Sequence, residues 1–206
     1  IYMHNVLTLW FQYIIAKECK GECSLVVYAD DFIAGFQYPW EAERFYEQLR
    51  SRMAKFGLEL EENKSRIVES GRYLASLKAK RGESTRLGTF DFLGFTFYCG
   101  RTTKGNPWIM PKTSSKKFRQ KVKEIKIWLY NNKEQKLGKL MYMLNVKLVG
   151  HYRYYGISFN SRMISNYKQQ VRELLYKVLN RRSEKKSYTR EGFIEMMKYY
   201  KLVKSL

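Results

Sequence analysis

The residues best suited to chemistry sit in one short stretch, Tyr28-Ala29-Asp30-Asp31. It lies between two apolar runs, Leu25-Val26-Val27 and Phe32-Ile33-Ala34. Two β-rich runs separated by so short a polar break predict a β-hairpin with the acids at its tip. Such a tip projects two negative charges from a buried ribbon, where they need water or a cation. Paired hard oxygens on a rigid support suit magnesium, which takes one or two carboxylates together with substrate phosphates. Two such ions can clamp the attacking and leaving oxygens of a phosphoryl transfer. Adjacent acids are also common in solvated turns, so the four residues by themselves leave both readings open.

The elements that would position this tip follow from hydrophobic spacing. Val6, Leu7, Trp10, Phe11, Ile14 and Ile15 recur at helical intervals and predict a first helix ending near Lys20-Gly21. Pro39 should open a second helix, with Ala42, Phe45, Tyr46, Leu49, Met53 and Phe56 inward and Gly57 as its stop. Leu58 to Glu61 and Lys64 to Val68 read as short strands, and 76–88 as a mobile loop. The aromatics of Phe90 to Tyr98 predict one strand, interrupted at Gly94 by a bulge. Gly100 to Pro111 reads as a turn-rich linker, giving domains 1–110 and 111–206. Beyond it the period is helical. A helix capped by Ser114 or Ser115 is expected first, then stretches over 137–154 and 162–179, and a short last helix capped by Thr189. The fold class is therefore α+β: an antiparallel hairpin with packed helices, followed by an all-helical domain.

Charge separates the same two parts. Residues 1–110 hold 15 Lys/Arg and 13 Asp/Glu, whereas 111–206 hold 24 and 6, so nearly all of the +20 net charge lies in the second part. A basic domain beside a near-neutral one points to a polyanion, most simply nucleic acid. Lys112, Lys116, Lys117, Arg119 and Lys123 are candidate phosphate contacts. His151, Tyr152, Arg153 and Tyr154 interleave rings with a guanidinium, as stacking on unpaired bases would use, though packing between helices would use the same rings. Arg181, Arg182, Lys185 and Lys186 form a cationic run at a helix end, where the helix dipole favours cations in any case. Cys19, Cys23 and Cys99 are few and odd in number, which argues against a disulfide framework; a single Cys-x-x-x-Cys is weak zinc evidence. No apolar run reaches the length of a membrane span and no signal pattern leads the chain, so a cytoplasmic setting is expected.

Tyr28-Ala29-Asp30-Asp31 in a hairpin resembles the active-site motif of reverse transcriptases. Three further elements follow in that family's order. Gly57-Leu58-Glu59-Leu60…Asn63-Lys64-Ser65-Arg66 resembles the next palm motif, and Phe90-Asp91-Phe92-Leu93-Gly94-Phe95 resembles the primer grip. Leu144-Asn145…Gly150-His151-Tyr152-Arg153-Tyr154-Tyr155-Gly156-Ile157, with Leu179-Asn180-Arg181-Arg182-Ser183, resembles the thumb, or maturase-specific domain, of bacterial group II intron-encoded proteins. The resemblance implies a partial polymerase palm followed by a helical thumb, acting as an RNA-directed DNA polymerase that also binds its intron RNA to assist splicing. It implies a two-metal Mg2+ site held by Asp30 and Asp31, and Lys64 near the leaving phosphates as charge stabiliser or proton donor. Tyr28, Ala29, Phe92, Leu93 and Gly94 would meet the primer end and incoming nucleotide. Partners would be group II intron RNA, an RNA template with a DNA primer, and deoxynucleoside triphosphates, within a bacterial ribonucleoprotein and without a membrane.

The family takes a further metal-binding Asp from a strand well before this motif. Here the only acids before Asp30 are Glu18 and Glu22, neither in an apolar strand pattern. The chain is therefore expected to be the C-terminal part of such an enzyme, inactive as a polymerase by itself. A non-catalytic splicing factor with a relic Asp-Asp pair is the alternative. A reverse transcriptase of another lineage fits the segment from Leu144 to Ser183 less well.

Overall fold

The computed structural model describes residues 2–61, 64–82, 87–182 and 187–203. It divides into two compact units, Ile1–Leu93 and Gly94–Leu206. The first begins with a helical run over 2–18 that contains π-helical stretches at His4–Thr8 and Phe11–Ile15 and ends in a short helix, α1 (Ala16–Glu18). The wider π-helical turn explains one departure from the α-helical expectation. Val6, Leu7, Trp10, Phe11 and Ile15 are buried, but Ile14 is rotated out to solvent.

The hairpin forms as expected. β1 (Cys23–Tyr28) pairs antiparallel with β2 (Asp31–Phe36) from Cys23↔Phe36 to Tyr28↔Asp31. Its ribbon is buried on one face only: Leu25 and Val27 pack inward, while Val26 and Tyr28 are exposed. α2 (Pro39–Lys55) has Pro at its first turn and closes at Gly57, whose φ of 67° a Cβ-bearing residue adopts only with strain. It buries Phe45, Leu49 and Met53 against Trp10 and Phe11. Glu41, in its first turn, is buried as well, and one carboxylate oxygen accepts the backbone N–H of Lys20 and of Gly21. That clamp fixes the chain just before β1.

Three local expectations fail. The described residues of 58–61 and 65–68 form no strand. Lys64 lies in a turn, and its N–H and that of Ser65 donate to the Glu61 carbonyl, so a local turn takes the backbone groups a ladder would need. Part of the expected loop is a helix, α3 (Arg72–Lys80), where Leu, Ala and Lys supply helix propensity; 83–86 lie outside the described residues. The single bulged strand is two strands, β3 (Phe90–Phe92) and β4 (Phe95–Arg101), with Leu93 and Gly94 both at positive φ, 50° and 80°, between them. Consecutive left-handed residues make a tight turn rather than a bulge.

The supposed linker is also structured. β4 pairs with β5 (Pro107–Thr113), closed by Thr102 N–H to the Asn106 carbonyl and Gly105 N–H to the Thr102 carbonyl. Lys112 therefore lies on a strand, its ammonium 4.9 Å from the centre of the Tyr98 ring. Helices α4 (Ser115–Asn131), α5 (Leu137–Tyr155), α6 (Ser161–Asn180) and α7 (Arg190–Tyr199) follow. Ser114 and Thr189 cap α4 and α7 by accepting backbone N–H groups, as their positions predict. Leu129, Leu140, Leu144, Leu148 and Leu175 form the centre of this unit's core, each at most 1% exposed. Burial of each such leucine contributes roughly 2 kcal/mol.

Candidate active site and nucleic-acid interface

In the first unit, pairing of Tyr28 with Asp31 leaves Ala29 and Asp30 as the turn itself. Ala29 takes φ 51°, an uncommon conformation for a residue with a Cβ, and one often concentrated at functional sites. Tyr28, Asp30 and Asp31 are exposed, so both carboxylates face solvent from a two-stranded support. Their hard oxygen donors fit magnesium in type. Among the described residues, no group of three or more His, Cys, Asp or Glu side chains could hold a metal ion.

Lys64 is exposed, and its ammonium pairs with Glu61 Oε2 at 2.5 Å. That hydrogen bond and the Glu61 charge raise its pKa above the ordinary lysine value, with a smaller contribution from Asp31. It therefore stays protonated at neutral pH. Asn63, beside it in the sequence motif, lies outside the described residues.

Phe92 and Leu93 are half-buried at the end of the first unit. Gly94 begins the second, and its carbonyl accepts the Ser114 N–H at 2.9 Å. A Cβ on Gly94 would sit 3.1 Å from the Tyr155 hydroxyl. Gly94→Ala combines that contact with positive φ and is expected to destabilise the second unit by about 1–2 kcal/mol, read from urea unfolding. Unchanged stability would show that the turn relaxes.

In the second unit, α4 carries Lys116, Lys117, Arg119 and Lys123 on its exposed side. The cluster after Gly150 divides sharply. His151, Tyr152 and Tyr155 face the core; Arg153 and Tyr154 face solvent. Buried rings cannot reach an RNA, so the expected base contacts at His151 and Tyr152 give way to packing: α5 continues its Leu144–Leu148 stripe through them. His151 stacks on Tyr167 at 3.7 Å and leans on Tyr155 at 4.7 Å. Arg182 donates to the carbonyls of Lys133 and Gln135, bracing the α4–α5 connection, and Arg181 donates to the Tyr130 hydroxyl at 2.7 Å. Ser183, Lys185 and Lys186 lie outside the described residues.

Residues 1–97 match the family described as reverse transcriptase (RNA-dependent DNA polymerase). Residues 115–203 match the group II intron maturase-specific domain. The chain belongs to the group II intron reverse transcriptase/maturase family. This places it among RNA-directed DNA polymerases, a nucleotidyltransferase class. Comparisons with curated proteins and with solved structures found no match. No helix among the described residues of this reverse transcriptase/maturase is long and apolar enough to cross a membrane.

Two positions with structural weight escaped the sequence reading. Glu41 reads as a surface acid at a helix start. Asn160, 0% exposed, donates to Thr113 Oγ1 and the Tyr155 carbonyl and accepts the Thr113 N–H. Its only signal was an Asn just before a helix.

His151 gives the maturase domain a pH response. Burial, then the Lys121 charge, lower its pKa from 6.5 to about 4. The fold holds it neutral, so its contribution is full above the unfolded value and is lost as pH falls from 6.5 towards 4. His151→Phe is expected to flatten the stability–pH curve in that window by about 1–2 kcal/mol. Parallel curves for the two proteins would overturn this.

Proposed function

We propose that the Asp30–Asp31 pair at the β1–β2 hairpin tip is the metal-holding element of the polymerase site and that the helical domain grips intron RNA and template–primer duplex. The carrying observation is a pair of solvent-facing carboxylates at the hairpin tip, Asp30 in the two-residue turn and Asp31 opening β2. In this reading both aspartates bind Mg2+ together with the phosphates of a deoxynucleoside triphosphate. The metal supplies charge neutralisation at the transferring phosphoryl group. Lys64, held charged by Glu61, stabilises negative charge at the leaving phosphates; its raised pKa favours that role over easy proton donation. Phe92, Leu93 and Gly94 support the primer end, and Tyr28 and Ala29 border the nucleotide. Lys112, Lys116, Lys117, Arg119, Lys123 and Arg153 contact phosphates.

The test of the metal reading is binding, not turnover. Mn2+, a paramagnetic stand-in for Mg2+, is titrated with and without a deoxynucleoside triphosphate, and the free-ion resonance is followed. Binding is expected to tighten with the triphosphate and to vanish in Asp30→Asn/Asp31→Asn. Equal binding by that variant would refute the assignment. RNA binding should weaken steeply with salt, by roughly one power of salt concentration per neutralised phosphate. Affinity that hardly changes between low and moderate salt would count against the grip.

A further inference from the structure

The outward face of α5 carries a feature that the polymerase chemistry does not use. Tyr142, Val146, Val149, Gly150 and Arg153 recur at helical spacing on that face, with Asn145 at its edge. They line a shallow groove of about 340 Å³. Tyr142 is 71% exposed and Val146 56%, and one turn apart they form a continuous exposed apolar patch. Gly150 leaves the floor open, since an added Cβ would meet nothing within 4 Å. In a helix interior glycine is destabilising relative to alanine, so this gap is not there for stability.

The groove's edges limit what can occupy it. The Asn145 amide donates to the carbonyls of Tyr200 and Lys201, and its oxygen accepts the Val203 N–H. It is thus engaged with the end of α7 and not turned to a ligand. What remains is an apolar floor, one projecting phenol ring and the Arg153 guanidinium. Arg153 has no hydrogen-bond or ion-pair partner among the described residues. α5 has no Asp or Glu but carries Lys139, Lys147 and Arg153, in a domain that holds almost all the net positive charge. An anionic partner with a flat apolar face fits this chemistry.

We infer that this face stacks an unpaired nucleobase of bound RNA on Tyr142 over the Val146–Gly150 floor, with Arg153 on the neighbouring phosphate. The inference rests on the RNA-binding reading above and adds where and how single-stranded RNA is held. With the groove's amide engaged elsewhere, stacking is sequence-tolerant, because every base offers a π-face. A duplex, whose bases are already stacked, gains nothing from it.

The experiment compares a fluorescein-labelled unstructured RNA with a blunt RNA duplex of equal length, using the full chain. Tyr142→Ala is expected to weaken the single strand by roughly tenfold and leave the duplex within about twofold. Gly150→Leu fills the floor. It is expected to raise the melting temperature, as a better helix former, while weakening the single strand to a similar extent. Equal losses on both RNAs would assign the face to the backbone and overturn the inference. So would single-strand affinity unchanged by both variants, or a wild-type dimer that Tyr142→Ala dissociates without affecting RNA. Wild-type chain that binds neither RNA overturns the RNA-binding reading as well. Wild-type binding with indifferent variants overturns only the groove.

Discussion

Asn160→Ala will lower the stability of the helical unit by about 2 kcal/mol. The side chain is fully buried and holds three elements together: the end of β5 through Thr113, the end of α5 through the Tyr155 carbonyl, and the start of α6, which it precedes. Truncation strands the buried Thr113 N–H and removes one of the two donors to the Tyr155 carbonyl, which keeps the Ile157 N–H; an unsatisfied buried group costs roughly 1–3 kcal/mol. Asn160→Asp will not rescue the loss, because a carboxylate accepts from Thr113 but cannot donate to Tyr155. Asn166→Ala, at an exposed position on the same helix, should stay within about 0.5 kcal/mol of wild type. Urea unfolding, followed by the helical circular-dichroism signal, measures all three. Asn160→Ala with wild-type stability would mean that the triple hydrogen bond is not maintained in solution.

The second large effect is on RNA affinity. Replacing Lys116, Lys117, Arg119 and Lys123 together by Gln should weaken RNA binding by roughly a hundredfold at moderate salt. It should also reduce the salt slope by about one unit for each phosphate contact removed. The four side chains are exposed. The ion pair on the same helix, Lys121 with Glu124 at 2.8 Å, is untouched. The melting temperature should therefore hold while affinity falls. Lower affinity with an unchanged salt slope would place the phosphate contacts elsewhere. The same comparison separates this basic side from the α5 groove, whose variants should act on single-stranded RNA and leave the slope nearly intact.

Much of the architecture was readable from local pattern. The acids at a hairpin tip follow from two apolar runs around a short break, and β1 and β2 pair with Ala29 and Asp30 as the turn. α4 to α7 follow from apolar spacing and from caps at Ser114 and Thr189, each of which acts within a turn of its own position. The reverse-transcriptase and maturase matches cover the segments whose motifs resembled those families. The candidate site was less evenly readable. His151 and Tyr152 drew attention by composition, yet the Leu144–Leu148 spacing already turned them inward and left Arg153 and Tyr154 outside. The glycine at 94 signalled an irregular backbone. Telling a bulge from a turn required Leu93 to be left-handed too, which no side-chain pattern reveals.

The sequence by itself determined the elements, their apolar faces, the charge asymmetry and the adjacent aspartates, because each depends on neighbours within a few residues. Tertiary structure decided which polar groups become buried struts. Glu41 holds the chain before β1 across a separation of 20 and 21 residues, and Asn160 reaches Thr113 across 47. Tertiary packing also turned Ile14 to solvent through π-helical turns and left the α5 groove uncovered. These outcomes depend on which distant backbone groups arrive next to a side chain, and periodicity along one element carries no record of that.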